Sequence, residues 1–326
     1  VSLISVNADK QAAAPTADSP FSQKVERAVG EISKALLGKD HQIRLALCCL
    51  FSGGHLLIED LPGMGKTTLS YALARAMGLE FNRIQFTSDL LPADILGISI
   101  FDQNSGKFSF HPGPIFSQLM LADEINRTTP KTQSALLEAM EERQVTVEGE
   151  TRPLPEPFFV IATQNPVNLA GTYPLPESQL DRFLMRLRLG YPDQKAEREL
   201  LEMNTERDKV ERVQQCLTTA DVAQFRIQSA EVTASPALLD YVQRLVAFTR
   251  GRDDFNYGLS PRGSLAVMRA AKTWALMCGR DHAVPEDVQV ILPAVAEHRL
   301  RGNSDEDGHS GASLLQRLLN EVDVIA

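Results

Sequence analysis

Residues Leu57–Leu69 read LIEDLPGMGKTTL, and the rest of the chain is arranged around them. Leu56, Leu57 and Ile58 read as the end of a buried strand. Pro62, Gly63, Met64 and Gly65 form a tight loop, and Lys66, Thr67 and Thr68 open a helix that continues as LSYALARAMG. Strand, loop and helix in that order are the context a phosphate-binding loop requires. Glycines at 63 and 65 let the backbone turn its N–H groups inward, toward a β- and a γ-phosphate. The helix N-terminus adds unpaired N–H groups and the positive end of a dipole. Lys66 brings a mobile charge to the same phosphates, and the Thr67 hydroxyl is a magnesium ligand.

The usual pattern, G-x-x-x-x-G-K-[ST], starts with glycine; here Asp60 holds that position. The plain alternative is a glycine-rich turn, but Gly-Lys-Thr-Thr at a helix start does little for packing. By itself the loop supports nucleotide binding and nothing more specific.

The bulk numbers describe an ordinary globular protein. With 326 residues, 43% hydrophobic and 23% charged, one large domain or two smaller ones are expected. No apolar run is long enough to span a bilayer, and Val1–Pro20 lacks the basic-then-apolar order of a signal peptide. Neither membrane insertion nor export is expected, so the cytoplasm is the default location. Cys48, Cys49, Cys216 and Cys278 lack metal-ligand spacing and read as packing residues. The formal net charge of −9 gives no electrostatic reason to expect nucleic acid as a partner, although a local basic pore is compatible with it.

Residues 1–20, rich in Ala, Ser, Thr, Asp and Pro, read as a disordered or loosely attached arm. Helices are expected over Phe21–Leu37 and Lys39–Phe51. FNRIQF (81–86) is a strand, TSDLLPADILG a turn-rich connector, and 98–110 a hairpin inserted into the α/β order. Gln118–Asn126, QLMLADEIN, is an apolar strand ending in two carboxylates. A parallel strand delivers its last residues to the C-terminal edge of the sheet, beside the phosphate loop. There Asp123 can hold magnesium through water and Glu124 can polarise an attacking water. Solvated acids at a strand end are the alternative, weakened by the phosphate loop upstream.

Thr128, Thr129 and Pro130 start a helix with a capping hydroxyl, and QVTVEGETRPL contains a second hairpin, about 144–153. The strand FFVIAT ends in Gln164, Asn165 and Pro166. Asn165 is equally readable as a γ-phosphate sensor and as a turn-forming Asn-Pro. A short helix from about Glu177 presents Asp181 and Arg182 before a last strand, LMRLRL. Arg182 is equally readable as a cation for a neighbour's γ-phosphate and as a surface ion pair. A composition break at Gly190–Asp193 marks a domain boundary, dividing 21–190 from 191–326. Beyond it strand patterns stop, and helices are expected over 194–205, 218–230, 236–250, 261–278, 285–300 and 313–323. Arg262 sits in a first helical turn, where a cation opposes the dipole. That placement suggests a functional partner or a solvated side chain.

Taken together, four segments resemble the MoxR family of AAA+ ATPases over nearly the whole chain after residue 20. LIEDLPGMGKT is similar to its Walker A segment, including the tolerance of a non-glycine at Asp60. LADEINRTTPKTQSALLEAMEERQVTVEG is similar to its Walker B region, ATQNPVNLAGTYPLPESQLDRFLM to its sensor 1 and arginine-finger region, and GLSPRGSLAVMRAAKTWALMCGRDHAVPEDV to its sensor 2 helix. The resemblance implies a P-loop NTPase fold, a parallel sheet of order 5-1-4-3-2 between helices, followed by a small all-α lid. It implies ATP and Mg2+ as cofactors. Lys66 and Thr67 take Walker A roles, Asp123 and Glu124 Walker B roles, Asn165 that of sensor 1, and Arg262 that of sensor 2, reaching the nucleotide from the lid. Arg182 is the arginine finger, with Arg186 as the fallback. The hairpins match the helix-2 and pre-sensor-1 inserts, which in related proteins face a pore or a partner. Family members assemble as rings, usually hexamers. They act as chaperone-like ATPases, often with proteins carrying von Willebrand factor type A domains.

The expectation is therefore ATP hydrolysis at ring interfaces that drives remodelling or maturation of a partner, the client being unspecified. Its rivals are a nucleic-acid motor and a nucleotide-gated scaffold without catalysis. The acidic composition and the lack of a basic, aromatic-studded segment oppose the first. Glu124 and Arg182 oppose the second. A nucleotide kinase would leave the lid and the hairpins unexplained.

Overall fold

A computed structural model describes residues 19–103, 106–166, 171–202, 210–252, 255–302 and 310–324. The expected arm lies outside them, except for its last two residues. Helices α1 (Pro20–Ser33) and α2 (Asp40–Phe51) precede strand β1 (Leu56–Glu59) and helix α3 (Lys66–Met77). Strand β2 (Phe81–Gln85), a short helix α4 (Pro92–Leu96) and the hairpin β3 (Gly97–Asp102) and β4 (Lys107–Pro112) follow. Strand β5 (Leu119–Asp123) leads through a 3-10 turn (Ile125–Arg127) into α5 (Pro130–Glu142). The second hairpin, β6 (Gln144–Val147) and β7 (Glu150–Pro153), precedes β8 (Phe159–Gln164), α6 (Glu177–Leu180) and β9 (Met185–Leu187). Both inserted hairpins and the short helix at Glu177 thus stand where the sequence places them. The expected connector after β2 contains α4, a proline-started turn of helix.

The main sheet has the order β2-β5-β8-β1-β9 and is parallel throughout. Counted along the chain, this is the 5-1-4-3-2 order. Its central strands are apolar on both faces because helices cover both. Leu56, Ile58, Leu119, Leu121, Phe159 and Ile161 point to a core shared with α1–α3 and the C-terminal helices. Their alternates, Leu57, Met120, Ala122, Val160 and Ala162, point to a second core with Ile95, Leu136, Leu137 and Met140 from α4 and α5. Each strand's period of two therefore feeds two separate cores.

After β9 come α7 (Gln194–Glu202), α8 (Thr219–Glu231), α9 (Pro236–Arg250), α10 (Pro261–Met277), α11 (Pro285–Ala296) and α12 (Ser310–Glu321), the helical lid. Ser235 and Ser260 cap α9 and α10, accepting the N–H of Leu238 at 3.2 Å and of Gly263 at 3.0 Å. Thr129 occupies the cap position of α5, but its hydroxyl meets that of Thr132 instead of a helix N–H. Strand structure does not stop at Gly190, as the sequence suggests. Thr233–Ala234 pairs with His282–Ala283, and Phe255–Tyr257 with Arg301–Gly302. Bridges of two or three residues leave no periodicity for a sequence to show. The lid joins the N-terminal helices directly: Phe51 stacks on Phe225 at 4.2 Å, and Phe21 meets the same ring edge-on at 4.7 Å. Among the described residues no helix is long and apolar enough to cross a membrane.

Candidate functional site

The loop between β1 and α3 needs its glycines for conformation. Gly63 (φ 82°) and Gly65 (φ 86°) are left-handed, where a side chain is strained. A Cβ on Gly65 would also lie 2.6 Å from Leu36 Cδ1. The N–H groups of the first turn of α3, at Lys66, Thr67 and Thr68, have no carbonyl within the helix to reach. Asp60, the residue that departs from the usual pattern, anchors the loop. Its Oδ2 accepts the N–H groups of Leu189 and Gly190, each at 2.7 Å, and its Oδ1 accepts that of Leu61 at 2.8 Å. A glycine there could make none of these bonds.

Lys66 donates to the Asp60 carbonyl oxygen. Burial lowers the pKa of its amine, while the nearby charges of Asp60, Asp123 and Glu124 act to raise it. The parallel sheet brings these groups together, because β1 and β5 both flank β8 and all three end on one edge. Asn165 follows β8 at this same edge, where Glu59 pairs in register with Gln164 and the Asp60 N–H reaches the Gln164 carbonyl at 3.3 Å.

Asp123 is nearly buried at the tip of β5. The Thr163 hydroxyl donates to its Oδ1 at 2.6 Å, and Arg83 donates to its Oδ2 at 2.7 Å. The same Thr163 oxygen accepts the Glu124 N–H at 2.9 Å. Glu124 itself is left-handed (φ 58°, ψ 50°), a strained conformation for a side-chain-bearing residue. Its carboxylate takes Gln85 Nε2 at 2.8 Å and Arg127 at 2.9 Å. This donor set fits a magnesium–nucleotide pair. Magnesium takes one or two carboxylates together with phosphate oxygens and water. Asp123 supplies a carboxylate already paired with a cation, and Thr67 opens the helix facing that edge.

Arg182 and Arg262 lie elsewhere. Arg182 precedes β9, whose first residue, Met185, pairs with Leu56 at the start of β1, opposite the end that carries the glycine loop. It bonds the Leu137 carbonyl and Glu141 Oε2, each at 2.8 Å. Arg262, from the lid, bonds the other oxygen of Glu141. The family resemblance implies that Arg262 reaches a nucleotide from the lid; here it shares Glu141 with Arg182. Both line a cleft of about 460 Å³ with Gly53, His55, Arg143, Arg269 and Arg299. Arg186, the fallback finger, is largely buried between Glu59 at 3.0 Å and Glu297 at 2.8 Å. It ties β1 and β9 to the lid.

Sequence reasoning missed Thr163, Arg83, Gln85 and Glu141. A threonine inside the apolar run FFVIAT was a visible sign, as was the i, i+2 placement of Arg83 and Gln85 on one face of β2. Apart from the contact of Arg83 with Gln85 on the same strand, the acid or arginine that each side chain meets is 39 or more residues away.

Residues 55–185 match the model of the ATPase family associated with various cellular activities (AAA), and residues 247–318 match the AAA lid domain. The chain is 42% identical to Chaperone MoxR1 of Mycobacterium tuberculosis over 286 residues, covering 85% of this chain and 75% of that protein. It is 43% identical to the uncharacterized protein YeaC of Bacillus subtilis, covering 91% and 94% respectively. It is 32% identical to Protein MoxR of Methylorubrum extorquens, covering 83% and 85%. A solved structure of a candidate ATPase from Cytophaga hutchinsonii superposes with a TM-score of 0.84 at 38% identity, covering 94% of this chain and 96% of that one. The chain belongs to the MoxR family of AAA+ ATPases.

Proposed function

We propose that this chain hydrolyses ATP to ADP and phosphate, with magnesium, at the interfaces of a ring of its own copies. The ring uses the cycle for chaperone-like remodelling of a partner protein. The observation that carries this reading is the separation of the two halves of the machinery. Lys66, Asp123 and Glu124 share one edge of the sheet, while Arg182 and Arg262 share Glu141 at the edge where β1 begins. Cations on that edge suit a nucleotide held by the next copy.

Magnesium, when bound, neutralises charge on the transferring phosphoryl group. Thr67 and Asp123 would hold it. The loop N–H groups and Lys66 bind and orient the phosphates. The left-handed backbone of Glu124, held by Thr163, aims its carboxylate so that it can take a proton from water. Asn165 stands at the same edge to orient that water or the γ-phosphate. Arg182 and Arg262 of the adjacent copy would offset the charge that develops on the transferring group, so hydrolysis would depend on assembly.

The test mixes two inactive chains. Lys66→Ala keeps the arginines but loses the phosphate grip; Arg182→Ala does the reverse. Each should be inactive alone, and the mixture should recover a fraction of wild-type turnover. No recovery, or an Arg182→Ala chain active at high dilution, would refute the shared site. The partners proposed from the family resemblance are proteins with von Willebrand factor type A domains. Co-purification with an ATP-loaded Glu124→Gln chain would identify them and the client.

A further inference from the structure

Three arginines converge at the edge of the sheet where β1 begins, and among the described residues no carboxylate is bonded to them. Arg143, in the left-handed residue that ends α5, donates to the Gly53 carbonyl oxygen at 3.2 Å. Arg226 of α8 lies over the same glycine, so close that a Cβ on Gly53 would sit 2.7 Å from its guanidinium. Arg269 of α10 lines the 460 Å³ cleft alongside Gly53 and Arg143. Among the described residues, neither the Arg226 nor the Arg269 guanidinium makes a hydrogen bond or an ion pair.

The charge in the cleft is unbalanced. Its lining has five arginines (143, 182, 262, 269 and 299) and two carboxylates, Glu141 and Asp181. Both carboxylates are engaged, Glu141 by Arg182 and Arg262, and Asp181 by Arg299 at 2.6 Å. Arg143 and Arg269 are left over, within a chain whose net charge is −9. Glu156 attracts Arg226 from a distance without bonding to it. Arg226 is half-buried, and burial followed by the like charge of Arg143 pushes its guanidinium below the usual arginine value, while Arg143 and Arg269 are exposed along the cleft. Such an arrangement is stabilised by an anion.

We propose that Arg143, Arg226 and Arg269 form a binding site for a phosphate-class oxyanion, distinct from the phosphate loop and on the opposite edge of the sheet. Guanidinium forks match such oxygens in pairs, and three of them from separate elements would surround a tetrahedral anion. The anion is either free inorganic phosphate or the phosphate of a nucleotide carried by another copy. Its three side chains come from one chain, so binding of free phosphate does not depend on the ring reading, whereas the neighbour's nucleotide as its source rests on that reading.

Two arms test this. In the first, Lys66→Ala silences the chain's own loop, and the protein is melted in sodium phosphate and in sodium chloride at equal ionic strength. Phosphate at about ten times its dissociation constant should raise the melting temperature by roughly 2–4 °C. Adding Arg226→Gln and Arg269→Gln should abolish the rise, and Arg269→Lys should retain part of it. The double variant should melt no lower than its parent in chloride, since it removes mutual repulsion; a large drop would mark the arginines as structural and overturn the site. The second arm measures assembly of the Glu124→Gln chain by ultracentrifugation with and without ATP. If the anion is a neighbour's nucleotide, the two glutamine substitutions should weaken assembly about tenfold with ATP and leave it unchanged without. Absence of both effects overturns the proposal. So does equal weakening with and without ATP, which would point to an acidic side chain of the next copy.

Discussion

The Thr163 hydroxyl donates to the Asp123 carboxylate at 2.6 Å, and its oxygen also accepts the Glu124 N–H at 2.9 Å. One side chain on β8 thus positions both Asp123, the last residue of β5, and Glu124, which follows it. Thr163→Val keeps the shape and removes both bonds. We expect a stability loss of roughly 1–3 kcal/mol, because a buried acceptor and a backbone donor lose their partner. We also expect the turnover number to fall while nucleotide binding persists. Urea denaturation and single-turnover kinetics measure the two effects, and a wild-type turnover number would remove Thr163 from this role.

Asp60→Gly would restore the glycine of the more common loop pattern, and it should be harmful. The carboxylate accepts three backbone N–H groups that would lose their protein partner. We expect a loss of about 2 kcal/mol or more and weaker nucleotide binding, since charge-assisted bonds of this kind contribute roughly 1.5–3 kcal/mol each before water replaces them. Calorimetric titration with ATP and thermal melting test it. A variant as stable as the parent would show that the loop is held by other contacts.

Arg186 and Arg182 should separate stability from catalysis. Arg186→Met leaves Glu59 and Glu297 facing each other with the half-exposed Arg188, at 3.5 and 3.4 Å, as a shared cation and Gln164 Nε2 donating to Glu59 at 3.0 Å. Breaking a largely buried pair costs roughly 3 kcal/mol or more. Arg182→Ala breaks a partly exposed pair with Glu141 and should cost no more than about 1 kcal/mol. Yet Arg182→Ala should abolish the concentration-dependent ATPase, whereas the folded fraction of Arg186→Met should retain it. The opposite pattern would make Arg186 the finger.

Stability should fall on acidification below about pH 6.5, the ordinary histidine value. His55 is buried, its Nδ1 accepting the Val160 N–H at 3.0 Å and its Nε2 facing the Met140 carbonyl at 3.1 Å. Burial lowers its pKa to about 4. The same cause, followed by the charges of Arg299 and Arg186, pushes His298 well below its usual value. Between pH 6.5 and about 4 the unfolded chain therefore binds more protons than the folded one. Stability is lost as pH falls through that window, with His55 contributing about 3 kcal/mol at most. Urea midpoints from pH 7.5 to 4.5 report the slope, and His55→Gln should make it shallower by up to one proton. An unchanged slope would mean that His55 is charged in the folded protein.

The elements legible in the sequence are those whose reason is local. The glycines of the loop are required by their own backbone angles, the apolar runs of β5 and β8 by burial on both faces, and the starts of α9 and α10 by a serine followed by proline. Thr129 was misread because the same local pattern left its hydroxyl a choice, and a neighbouring threonine took it.

What the sequence determined alone was the glycine loop between β1 and α3, the acidic strand end and the sites of the two inserted hairpins, because backbone geometry and hydrophobic periodicity act within a few residues. Where the arginines go was decided only by the tertiary structure. Arg262 meets Glu141 across 121 positions of chain, and Arg226 reaches Gly53 from another helix. A guanidinium on a long, flexible stem takes whichever partner the packed elements bring within reach, and no spacing along the chain encodes that choice.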